Sequence, residues 1–158
     1  MRPGAAFASL LPLMTISSLS LTAEPAAPRY ADGAALFAAN CAVCHGAHGA
    51  GQPALAPPLT GNPARYAANA EGRRQLALTV LYGMFGDITV DQKHYNFKMP
   101  EFSLQDDRAL AAVLNFVVFD LGSASNDTKA IGADESLAPT HGPLCTLVFL
   151  TNLAVRAC

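Results

Sequence analysis

Apolar and polar positions alternate with a helical period in three stretches of the chain, and runs of Gly, Pro and small polar residues separate them. Gly33, Phe37 and Cys41 recur every four residues behind Asp32, which predicts a first helix capped by that aspartate and buried along one face. Residues 46–62 hold so many Gly and Pro that regular structure is not expected there. Asn62 followed by Pro63 predicts the N-cap and first turn of a middle helix through Leu76, Leu78, Val80 and Leu81, stopped at Gly83 and Gly86. β-Prone residues between Ile88 and Phe97, around the polar pair Asp91 and Gln92, suit a short irregular hairpin leading to Met99 and Pro100. The strongest pattern comes last. Ser103 is placed to cap a helix with Asp106 and Asp107 in its first turn and a broad apolar face of Leu110, Val113, Leu114, Phe116 and Val117. The expected fold class is all-α, with one domain over residues 29–122.

The ends of the chain do not share this patterning. Residues 1–23 carry one early cation, Arg2, then an apolar run broken by Pro12 and by Ser17, Ser18 and Ser20 and closed by Ala23, the form of a cleavable export signal. An uncleaved N-terminal anchor is the alternative. Residues 24–28 form a short linker. After Gly122 a polar, turn-rich stretch reads as a linker, and it ends in an apolar run too short to span a bilayer. The role of residues 123–158 is left open: docking on the domain, contact with a partner, or a terminus without function.

Composition narrows the function. The 158 residues are 51% hydrophobic and only 14% charged, with a formal net charge of -2. Phosphate backbones demand a dense basic footprint, so nucleic acid is not an expected partner. Low charge and high hydropathy likewise exclude a disordered polyelectrolyte. Of four cysteines, Cys145 and Cys158 lie near the C-terminus, free or paired with each other, while Cys41 and Cys44 form a close pair.

That close pair carries the chemistry. Cys41-Ala42-Val43-Cys44-His45 is C-x-x-C-H, the attachment signature of c-type haem. Two thiols spaced by two residues at a helix end can add across the two vinyl groups of one porphyrin edge, and the next residue offers its imidazole to the iron. A dithiol redox site would follow a strand rather than a helix. A zinc site would need a second ligand pair of similar spacing, which Cys145 and Cys158 do not supply.

With Gly33, Phe37, Gly46, Pro57, Leu59, Met99-Pro100 and Phe116 standing in order around this motif, the chain resembles the class I (His/Met) bacterial cytochromes c over residues 29–122. The resemblance implies helices wrapped around one covalently bound haem c, with the first and last helices crossing where Gly33 and Phe37 meet Val113 and Phe116. It implies that the Pro57 carbonyl accepts the Nδ1 proton of His45 and fixes its ring. It also implies His45 and Met99 as axial ligands. A thioether favours ferrous iron, which suits a one-electron carrier, and Met99 precedes Pro100, which holds it extended. Met84 is the alternative thioether, expected instead to fill space beside the haem; His48 and His94 are lesser alternatives. The stretch from Leu81 to Phe102 is similar to cytochrome subunits of periplasmic dehydrogenases and terminal oxidases, which implies redox-protein partners and a periplasmic location. Lys93, His94 and Lys98 are candidates for a docking face, and Arg73, Arg74, Tyr66 and Tyr82 for contacts to haem propionates. A different class of function stays open: a haem-based catalyst or gas sensor whose sixth ligand is displaceable.

Overall fold

In the computed structural model, which describes residues 26–102, 106–135, 146–150 and 153–157, five α-helices and a small hairpin surround an apolar cleft. The expected export signal at residues 1–23, Ser103, Cys145 and Cys158 lie outside the described residues. Helix α1 (Ala31–Asn40) leads directly into α2 (Ala42–His45). After the Gly- and Pro-rich loop come α3 (Asn62–Tyr66) and α4 (Ala70–Tyr82). Strands β1 (Ile88–Val90) and β2 (Lys93–Tyr95) pair antiparallel, and α5 (Asp107–Asn115) runs on into a π-helical stretch, Phe116–Leu121. Strands β3 (Thr146–Leu150) and β4 (Leu153–Ala157) form a second antiparallel pair in register from Thr146 with Ala157 to Leu150 with Leu153.

The crossing of α1 and α5 is the backbone of the molecule. Gly33 makes it possible: a Cβ there would fall on the Ala112 carbonyl and within 2.8 Å of the Phe116 Cβ. One turn on, Phe37 packs its ring at 5.4 Å from that of Phe116, and Val113 completes a buried cluster. A second cluster joins Leu110, Ala111, Leu114 and Val118 to Ala67 and Ala77 from the middle of the chain. The hairpin turns through Asp91 and Gln92 at φ 48° and 63°, the mirror-image turn whose twist matches that of the strands.

Three expectations are corrected. Asp32 stands in the first turn of α1 rather than at its cap; Tyr30 holds the N-cap position without a side-chain bond. The Asp120 carboxylate arrives from the far end of the domain to accept the Arg29 and Tyr30 N–H groups at 2.9 and 3.0 Å, placing negative charge beside the α1 N-terminus. The middle helix is two helices. Asn62 opens only the short α3, and Asn69, extended at φ -139° and ψ 166°, starts α4 by accepting the Gly72 N–H at 2.8 Å. Asp106, expected within the first turn of the last helix, is the N-cap of α5 and accepts the Ala109 N–H at 2.8 Å. Of the roles left open for the stretch after Gly122, its start takes the first: it folds back onto the helices. The Asn115 side chain donates to the Ile131 carbonyl and accepts its N–H, both at 2.8 Å, and Ile131 is buried in the second cluster.

Candidate functional site

Cys41 sits at the joint between α1 and α2. Its N–H still donates to the Phe37 carbonyl, while its φ of -112° bends the chain, and α2 then carries Cys44 and His45 within one turn. The two cysteines are half-buried unpaired thiols, and burial together with the neighbouring Cys44 pushes the Cys41 thiol up to about 11. His45 is buried. Its Nδ1 lies 2.9 Å from the Pro57 carbonyl oxygen. A carbonyl can only accept, so Nδ1 carries the proton and Nε2 keeps a free lone pair. Burial holds His45 below its usual range, partly offset by the Pro57 bond, and so favours the neutral imidazole that a metal requires.

The loop that supplies Pro57 is tied down despite its composition. Gly51 N–H donates to the His45 carbonyl at 2.8 Å, and Leu59 N–H donates to Gly49 at 2.7 Å. Gln52 exchanges backbone bonds with Ala56, and its side-chain amide donates to the Val43 carbonyl at 2.8 Å. These bonds fix the distance from the His45 backbone to the carbonyl that orients its ring.

Cys41, Cys44, His45 and Pro57 share one cleft of ≈ 280 Å³ with Met84 and Met99. Its walls are almost wholly apolar, with Leu76 and Val80 from α4 and Val113 and Leu114 from α5. Met99 is extended, and its backbone exchanges hydrogen bonds with Met84 at 3.0 and 2.8 Å. Tyr95, buried at the base of the hairpin, also faces the cleft, as do the exposed Val43 and Phe97 at its rim; the sequence offered no signal for these three.

Other candidates are placed elsewhere. His48 and His94 are exposed and do not line the cleft; His94 bonds Thr89 Oγ1 at 3.2 Å. Tyr66, Tyr82 and Arg74 do not line it either. Arg73 is buried and committed: Nε donates to Glu135 at 2.7 Å and a terminal nitrogen donates to the Ala67 carbonyl at 3.2 Å. Lys98 reaches the cleft edge, 3.6 Å from Glu101, while Lys93 is exposed outside it.

Residues 30–118 match the protein family described as Cytochrome c. Over 94 residues the chain is 43% identical to cytochrome c-552 of Thermus thermophilus, a match that spans 60% of this chain and 71% of that one. A second cytochrome c-552, from a designated strain of Thermus thermophilus, is also 43% identical over 94 residues, which cover 63% of its length.

Proposed function

This chain belongs to the cytochrome c family of electron-transfer proteins, and from that premise we propose that it is an exported one-electron carrier whose haem iron is held between His45 and Met99. The family carries one haem c bound covalently, here through Cys41 and Cys44. The residues fit that group: two adjacent thiols and an imidazole with its Nε2 free open onto an apolar cleft that also holds a thioether. When bound, haem c supplies a reversible ferrous/ferric couple.

Each side chain then has a distinct task. Cys41 and Cys44 anchor the group against loss. Pro57, by accepting the Nδ1 proton, fixes the tautomer and ring plane of His45 and increases its basicity. Met99 offers a soft neutral donor that favours the reduced state, and its extended backbone before Pro100 holds the thioether in the cleft wall. The apolar walls keep water from the iron and limit reorganisation on electron transfer. The observation that carries the reading is the single cleft uniting the C-x-x-C-H segment, the Pro57-oriented imidazole and Met99.

Export to the periplasm is supported by the leader-like residues 1–23 and by the covalent haem motif; among the described residues no helix is long and apolar enough to cross a membrane. The partners are redox proteins, an electron donor and an acceptor of the periplasmic dehydrogenase or terminal oxidase class, meeting the rim where Val43 and Phe97 are exposed.

Substituting Met99→His tests the ligation. The far-red sulfur-to-iron band of the ferric protein should vanish, and the reduction potential should fall by on the order of 0.1 V, a modest part of the roughly 0.8 V that axial ligands span. A band that persists unchanged contradicts Met99 ligation. A wild-type protein that is high-spin and takes up carbon monoxide readily belongs instead to the catalyst or sensor class.

A further inference from the structure

Met84 and Met99 stand directly opposite each other in an isolated antiparallel bridge, each N–H donating to the other's carbonyl at 3.0 and 2.8 Å. Residues so paired project their side chains onto the same face, with Cβ atoms about 4.5–5.5 Å apart. That face is the cleft, which both methionines line. We propose that Met84 is a reserve axial thioether, taking the sixth position when Met99 is displaced or lost, so that the iron remains sulfur-bound and closed to small ligands. The inference rests on Met99 as the resident ligand.

Three features of the chain support an exchange at this position. The register is held by main chain alone, so removing the Met99 side chain leaves Met84 where it is. Gly83 strengthens the register: its φ of +70° and the absence of a Cβ, which would otherwise lie 2.8 Å from the Pro100 carbonyl carbon, bring the two backbones together. Second, the Met84 side chain is unbranched with three rotatable bonds, and it rests half-buried against Ile88 and Tyr95 rather than wedged in a closed core. Third, the competing donors at the cleft are poorer. Lys98 carries a charge and sits beside Glu101 with its side chain 65% exposed, and the exposed His48 and His94 do not line the cleft. A methionine serving only as filler would gain nothing from standing in register with the ligand, and leucine would serve as well.

The test compares the holoprotein carrying Met99→Ala with one carrying both Met99→Ala and Met84→Leu, at neutral pH, by the far-red band of the ferric form and by carbon monoxide uptake of the ferrous form. In the single variant the band should persist at a shifted wavelength, and uptake should be slower than in the double variant by about tenfold, the factor expected if the closed form is populated about nine parts in ten. The double variant should lose the band. If the single variant lacks the band and takes up carbon monoxide as fast as the double, or is low-spin without the band as Lys98 ligation would make it, Met84 is no reserve. If Met84→Leu alone abolishes the band while Met99→Ala leaves it unchanged, Met84 is the resident ligand, and both readings fall together. Should Met99→Ala fail to fold, Met99→Leu with and without Met84→Leu preserves side-chain volume and carries the same comparison.

Discussion

At position 33 one hydrogen in place of a methyl group decides whether α1 and α5 can cross. The space a Cβ would take is already held by the Ala112 carbonyl and the Phe116 Cβ, and backbone cannot step aside as a flexible side chain can. Gly33→Ala should therefore cost about 3 kcal/mol, the upper part of the range for overpacking, read as a lowered guanidinium midpoint. A midpoint within error of wild type would show that the crossing is loose. His45 illustrates a different residue-level device. Its partner is a main-chain carbonyl, so any residue at position 57 that keeps the loop's path preserves the bond, and what the sequence must supply is loop geometry rather than a particular side chain.

Among the elements, the segment after α5 does the least expected work. It crosses back over α4 and α5 and is held at two points, the buried paired bonds of Asn115 with Ile131 and the half-buried ion pair of Arg73 with Glu135. Asn115→Ala strips both partners from the buried Ile131 peptide groups and should destabilise the protein by about 2–4 kcal/mol. Glu135→Ala leaves the Arg73 guanidinium with the Ala67 carbonyl alone and should cost about 3 kcal/mol. Because both act on one strap, the double substitution should cost less than the sum, and thermal unfolding of the three variants checks this. Strict additivity would mean that the two points hold independently. Similar capping chemistry sets the helix starts: Asn69 and Asp106 each accept an N–H three residues on, which marks where the chain leaves extended geometry.

For the molecule as a whole, burial of His45 links the stability of the haem-free chain to pH, since iron on Nε2 would hold the imidazole neutral. The folded state holds this imidazole below its ordinary value of 6.5, so as pH falls the unfolded chain takes the proton first, and proton uptake then favours unfolding. The contribution of His45 is complete above about pH 6.5 and is lost as pH drops from there through the lowered folded value. In the haem-free protein the thermal midpoint should thus be level in its His45-dependent part above 6.5 and decline below it; a midpoint that rises on acidification through this range would contradict the assignment. Residue identity and spacing along the chain are enough to read the haem attachment and the class of fold. Cys41, Cys44 and His45 are legible because covalent attachment needs its groups within five consecutive residues, and the helical periods of α1 and α5 are legible because burial repeats along a helix face. Family likeness added Pro57 and the contact of Gly33 and Phe37 with Val113 and Phe116. Local patterning could not show the break at Asn69, where the chain turns extended and the side chain caps α4 through the Gly72 N–H, nor the Asp120 carboxylate at the start of α1. The strap between Arg73 and Glu135 and the pairing of Met84 with Met99 emerge in three dimensions alone. Those contacts join segments far apart in the chain, and their energies depend on loop closure and on shared burial, which no local spacing encodes.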